Sequence, residues 1–219
     1  MSGETGLRER KRLRRYREVS DAAIALFLER GFDGVSVAEV AAAAEISKPT
    51  LFRYFPAKED LVLHRFADHE DEAARVVTAA LAARIAPLAA LHQHFLDGLD
   101  RYDPVTGLCD EPDVLAFHGL LYGTPALVAR LYGYLERTEE HLARALAPGA
   151  ADTGGTGAGA LPVRARLAAA QIVAVRRVLA QENWRRIAAG ARAEAVRPGA
   201  LAQADRAFVE LRAGLPAYA

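Results

Sequence analysis

The stretch from Ser36 to Lys58 constrains this chain more than any other. Ser36 followed by Glu39 has the spacing of a capping box, in which hydroxyl and carboxylate each satisfy a backbone N–H at a helix start. Val37, Val40, Ala41 and Ala44 recur behind it at helical spacing. A second start follows at Ser47, with Pro49 in the first turn, where a missing N–H costs little. The second segment carries Lys48, Thr50, Arg53 and Tyr54 and no acid. Two short helices with a donor-rich second member outline a helix-turn-helix, whose second helix enters the DNA major groove.

Composition sets bounds on the rest. At 52% hydrophobic residues the chain can bury a substantial core. Its formal net charge is zero, so a nucleic-acid footprint has to be a local patch. A single cysteine, Cys109, excludes an internal disulfide and a multi-cysteine metal site. The start is polar and basic, unlike a signal peptide, and no apolar run is long enough to span a membrane. The expectation is a cytoplasmic protein with no membrane partner.

Residues 1–12 read as a flexible basic arm. From Leu7 to Arg17, seven bases (Arg8, Arg10, Lys11, Arg12, Arg14, Arg15 and Arg17) face one acid, Glu9. Such a run is either a solvated tail or a phosphate-attracting segment, and its place ahead of the helix-turn-helix favours the second. A supporting helix spans about Leu13 to Arg30, with Val19, Ala22, Ala23, Leu26 and Phe27 as its apolar stripe. Gly31 suits its left-handed stop. Helical stripes then recur to the end, broken by Asp103–Gly107 and by a Gly/Ala/Thr stretch, Pro148–Gly159, read as a flexible loop. Strand signals are almost absent. The expected fold is all-α, about nine helices, with a DNA-binding domain at 13–60 and a second domain at 61–219.

The block around Phe27, Gly31 and Phe32, with the run Ile46-Ser47-Lys48-Pro49-Thr50-Leu51-Phe52-Arg53-Tyr54-Phe55 and Lys58-Glu59-Asp60-Leu61, resembles the DNA-binding region of the TetR family of bacterial transcriptional regulators. The resemblance covers about residues 13–65. It implies a homodimeric, ligand-released repressor on a palindromic double-stranded DNA operator, with a variable C-terminal domain that binds a small-molecule effector and dimerises. It implies phosphate contacts from Ser36, Thr50, Tyr54 and Lys58, and groove contacts from Lys48, Pro49 and Arg53. Two positions depart from the family pattern. Glu45 stands where glycine is usual in the turn, and Phe52 stands where tyrosine is frequent, so it is expected to pack rather than donate.

In the C-terminal part, His92, Phe95, Tyr102, Phe117, His118, Tyr122 and Gln171 combine apolar surface with a few polar anchors, as an effector pocket does. Each is equally at home in plain core packing. The Ala-rich helix from about Val163 to Ala189 and the last helix suit a two-fold four-helix interface, with Ile172, Val175, Leu179 and Phe208 as contacts. His64, Asp68, Asp71 and Glu72 share one helix face and have metal-ligand chemistry, but a solvated acidic face explains them too. No catalytic motif, cofactor or metal site is expected. The alternative class is a helical-bundle metal sensor or enzyme with a vestigial helix-turn-helix.

Overall fold

The computed structural model describes residues 3–147 and 161–219, so the Pro148–Gly159 loop lies outside the described residues. Among the described residues there are ten α-helices and no strand. They are α1 (Gly3–Arg30), α2 (Val37–Ala43), α3 (Lys48–Tyr54), α4 (Asp60–Leu63), α5 (Glu72–Ala82), α6 (Pro87–Asp100), α7 (Pro112–Gly123), α8 (Pro125–Leu146), α9 (Val163–Ala188) and α10 (Ala193–Gly214). Short 3-10 turns lie at His64–His69, Pro104–Thr106 and Pro216–Tyr218.

α1 begins at Gly3 rather than near Leu13. The basic run is rich in residues that lose little side-chain freedom in a helix. It is also balanced within the helix: Glu18 pairs with Arg14 at 3.5 Å and with Arg15 at 3.2 Å. The sequence reading placed a flexible arm over this stretch.

The chain divides into two compact units. The first joins the chain up to Asp68 with Ala116–Tyr132, and the second joins His69–Leu115 with Gly133–Ala219. Val19, Ala23, Phe27, Val40, Leu51, Phe55 and Leu61 are buried in the first. The buried Ser20 hydroxyl donates to the Leu61 carbonyl at 2.6 Å and ties α1 to α4. Arg130 forms a two-pronged pair with Asp60, Nε to Oδ1 at 2.8 Å and Nη2 to Oδ2 at 2.9 Å. Asp60 also accepts from the Ala57 N–H, so one carboxylate holds the α4 start and a side chain seventy residues later in the sequence.

The second unit is built on α6, α9 and α10, around Leu88, Leu91, Phe95, Leu99, Ala165, Ala168, Ala169, Ile172, Ala204 and Phe208. Alanines on α9 and α10 let these helices pack closely. The Asp103–Gly107 turn is pinned to α9. Asn183 donates to the Thr106 carbonyl at 2.9 Å, and Gly107 has φ +71 with the Ala180 carbonyl so near that any Cβ would collide with it.

Ile172 and Phe208, read from the sequence as dimer contacts, are fully buried within this core. Val175 and Leu179 are half-buried and pack against it. The correction has a simple cause: α9 is apolar on two faces. Val163, Leu167 and Val178 are exposed at 67%, 58% and 54% on the opposite side, and Val209 is exposed at 56% on α10.

Candidate nucleic-acid interface

Ser36 caps α2 and Ser47 caps α3. The Ser36 hydroxyl accepts from the Glu39 N–H at 3.2 Å while Glu39 Oε2 accepts from the Ser36 N–H at 2.8 Å. The Ser36 backbone and hydroxyl hold the Glu39 carboxyl below its ordinary pKa, with Arg30 adding to the effect. At α3, Ser47 Oγ accepts from the Thr50 N–H at 3.3 Å and meets the Thr50 hydroxyl at 2.8 Å. Pro49 sits in the first turn of α3 as expected. The turn between the helices passes through Glu45 with φ 52, the left-handed region. Arg15 Nη2 donates to the Ala44 carbonyl at 3.3 Å, so α1 satisfies an acceptor that the end of α2 leaves open.

Burial splits α3 into two faces. Leu51, inside it, and Phe55, just past its end, are buried at 0% and 2%. Lys48, Pro49, Phe52 and Arg53 are exposed, and Thr50 and Tyr54 are half-buried. The structure therefore brings Lys48, Pro49, Thr50, Arg53 and Tyr54 onto one short helix. Phe52 does not pack inward: it is 42% exposed on the same outer side. The inner side of α3 is already filled, so its ring is left in solvent beside Lys48 and Arg53.

Lys58 is placed differently from expectation. Its ammonium donates to the Phe32 carbonyl and lies 4.3 Å from the Phe32 ring centroid and 5.3 Å from that of Phe27. It braces the loop after α1, and its ammonium keeps its charge and two further N–H donors. Tyr54 is steadied by Tyr16, edge-on at 4.8 Å, and the Arg53 guanidinium lies 5.7 Å from the Tyr54 ring. Tyr16 also meets Phe55 at 5.3 Å and stacks on His64 at 5.0 Å. Sequence reasoning missed Tyr16. It was findable, because Tyr16, Val19, Ala23 and Phe27 continue one helical stripe.

Residues 19–64 match the family model for bacterial regulatory proteins, tetR family. The chain carries a TetR-family N-terminal domain. Over 149 residues it is 34% identical to the HTH-type transcriptional regulator TcmR of Streptomyces glaucescens, a match that spans 65% of this chain and 63% of TcmR. It thus covers less than two thirds of that relative's length. Among solved structures, NalD, the secondary repressor of the MexAB-OprM multidrug efflux pump in Pseudomonas aeruginosa, aligns with TM-score 0.54 and 16% identity over 89% of this chain and 96% of NalD. FadR of Thermus thermophilus, a TetR-family repressor in complex with lauroyl-CoA, aligns with TM-score 0.51 and 20% identity over 90% of this chain and 92% of FadR. At these identities the likeness is one of fold.

The sequence-predicted effector residues are divided between the two units. Phe117, His118 and Tyr122 belong to the first unit, where Phe117 meets Phe66 at 5.9 Å. His118 is buried, its Nδ1 has no hydrogen bond among the described residues, and burial lowers its pKa to about 4. His92, Phe95, Tyr102 and Gln171 belong to the second unit. His92 stacks on Phe208 at 4.7 Å, with Nε2 2.9 Å from Asp205 Oδ1. Phe95 is core, Tyr102 is half-buried, and Gln171 is exposed on α9, bonded back to the Leu167 carbonyl at 3.2 Å.

The described side chains of the His64–Glu72 face each have their own partners. His64 lies in the Tyr16 stack, Asp71 pairs with Arg75 at 3.3 Å, the Asp68 side chain lies outside the described residues, and Glu72 turns to histidines. Among the described residues no group of three or more such side chains is placed to hold a metal ion.

What sequence reasoning missed is a polar knot in the second unit. Glu72 lies 3.3 Å from His69 Nδ1 and 3.4 Å from His94 Nε2. Glu70 lies 3.1 Å from Arg137 Nε and 3.5 Å from His141 Nε2. Hydrogen bonds from His69 and His94 hold the Glu72 carboxyl far below its ordinary pKa, against the opposing effect of burial. Burial, with Glu70 nearby, pushes the Tyr134 hydroxyl pKa well up, so it stays protonated. The signal was present as Glu70 and Glu72, just before and at the start of α5, but apart from His69 their partners lie on α6 and α8, far along the sequence.

Proposed function

We propose that this chain is a sequence-specific DNA-binding repressor, non-enzymatic, that acts as a homodimer on a palindromic operator and is released by a small molecule. The observation that carries this reading is α3. A helix with no acid presents Lys48, Phe52 and Arg53 to solvent and is locked from behind by Leu51 and Phe55. Major-groove reading needs such a rigid helix with donors for guanine and apolar surface for thymine methyl groups. Arg53 reads a base, Lys48 a base or phosphate, and Ser36, Thr50 and Tyr54 position the backbone. Lys58 instead braces the domain.

In this reading residues 13–60 form the DNA-binding domain and the later helices the effector and dimerisation domain. The exposed apolar faces of α9 and α10, with Val163, Leu167, Val178 and Val209, meet their two-fold copies. A single α3 recognises only a few base pairs, and pairing two of them on half-sites about 34–36 Å apart supplies specificity. The ligand-bound relative of similar fold, FadR with lauroyl-CoA, supports a small-molecule effector without identifying it.

The test is selection of bound duplexes from a random DNA pool, followed by titration of the selected sequence. An inverted repeat is expected, bound with an affinity that falls steeply with salt as phosphate counterions are released. Selection of no sequence, or a flat salt titration, rejects the reading.

A further inference from the structure

Among the described residues of the second unit, Arg176 has a buried donor that is left unused. It lies on α9, three and four residues after the buried Val173 and Ile172 and seven before the buried Asn183, so it projects from the helix's inner face. Its Nε is sealed from solvent and has no hydrogen-bond partner among the described residues. The residue as a whole is half-buried, so the side chain is not wholly enclosed. Its neighbour Arg177, by contrast, donates to Gln181 at 3.1 Å.

Two carboxylates act on Arg176 electrostatically, Glu72 and Asp103, and both are committed elsewhere. Glu72 is held by His69 and His94. Asp103 Oδ1 accepts from the Val105 N–H at 3.0 Å and closes its own turn. Burial lowers the Arg176 pKa, and the two acids pull it back. A guanidinium does not give up its proton in a protein, so the charge remains. A buried cation with an open N–H is costly unless something bonds to it.

We propose that Arg176 is the anion-binding group of the effector site, and that the effector is a small molecule carrying a carboxylate or a phosphate on an otherwise apolar body. The side-on edge of a guanidinium, Nε with one terminal nitrogen, matches two oxygens of either group in parallel. Leu179, half-buried on the same side of α9, gives the body an apolar setting. The proposal rests on the ligand-released reading above and gives that ligand its chemical class.

The probes are octanoate, octyl phosphate and benzoate, each compared with a neutral counterpart (octanamide, octanol, benzamide), read by melting temperature and by calorimetric titration on the full chain. At least one anion is expected to raise the melting temperature by several degrees while its neutral counterpart does not. Preference for octyl phosphate assigns a phosphate headgroup, and preference for octanoate or benzoate assigns a carboxylate. Arg176→Gln is expected to weaken that binding at least tenfold, and Arg176→Lys to recover part of it. Arg176→Met removes an unpaired charge and is expected to melt no lower than the wild type. Anions that bind no better than their neutral counterparts overturn the proposal. So does anion selectivity that survives Arg176→Gln, or an Arg176→Met variant that fails to fold. A titration of selected operator DNA separates the two claims. Anion binding that leaves DNA affinity unchanged keeps the Arg176 site and rejects ligand release, whereas release by neutral compounds alone does the reverse.

Discussion

Glu45 occupies a backbone position that glycine fills without steric penalty. With φ 52 it is one of three non-glycine residues in the left-handed region among the described residues, with Arg84 and Tyr102. The penalty for a side chain there is roughly 1–2 kcal/mol, partly offset because glycine loses more freedom on folding. Glu45→Gly is therefore expected to stabilise the protein by about 0.5–1 kcal/mol, seen as a rise in the urea midpoint at constant slope. No change, or a fall, would show that the turn is not strained. Arg53 carries a different test. Arg53→Ala is expected to weaken binding to the selected operator by about 1–3 kcal/mol and to relax preference at one position of each half-site. Uniform weakening across all sequences would make Arg53 a phosphate contact. Lys58→Met separates the two roles weighed for that residue. It is expected to lower stability, through lost support of the Phe32 loop; an unchanged salt slope of DNA binding makes Lys58 a brace alone, and a slope smaller by about one makes it a phosphate contact as well.

At the scale of single elements, short capped helices were legible and long-range partners were not. Ser36, Glu39, Ser47 and Pro49 stand within a turn or so of the helix starts they define, so local chemistry placed α2 and α3 correctly. Phe52 was misjudged because periodicity gives the angle of a residue around a helix, not which angles the rest of the fold covers. Gln171 shows the same limit: it reads as a pocket-facing position, yet it faces solvent. α7 yields a prediction on pH. The His118 pKa is lowered to about 4 by burial, so the unfolded chain binds a proton there that the folded chain refuses. Its contribution is unchanged above the ordinary histidine value of 6.5 and is lost as pH falls from there toward 4, at a cost of about 2–3 kcal/mol. His118→Leu is expected to flatten the stability profile in that window. At the start of α5, Glu72 acts lower on the scale. Its folded pKa is depressed, so its stabilisation is present above the ordinary value of 4.5 and is lost as pH falls below it. Glu72→Gln is expected to cost about 1–2 kcal/mol near neutral pH and to leave the His118 window intact. Denaturant melts from pH 7 to 3 on both variants distinguish the two groups.

At the scale of the whole molecule, the sequence was right that the last two long helices are rich in apolar and small residues, and wrong about which side of them is free. A helix with one apolar stripe declares its buried face, whereas α9 has two, and only the packing of α6 and α10 shows that Ala165, Ala168, Ile172 and Val173 are spent on the subunit's own core. This separates two classes of variant that sequence reading would have grouped together. Ile172→Ala opens a cavity in the core and is expected to cost about 2–5 kcal/mol of stability. Leu167→Glu places a charge on an exposed site and is expected to change the stability of the isolated subunit by about 0.5 kcal/mol or less. In the proposed dimer, Leu167 lies between Val163 and Val178 on the face that meets its copy, where an unpaired carboxylate would be buried twice by symmetry. Sedimentation equilibrium should then show the wild type as a dimer and Leu167→Glu as a folded monomer. DNA binding follows, because a lone reading head keeps its contacts to one half-site and loses the gain from the second. The variant is expected to bind a single half-site as the wild-type subunit does, while its affinity for the full palindrome falls at least a hundredfold. A Leu167→Glu protein that remains dimeric at micromolar concentration would place the interface on some other surface.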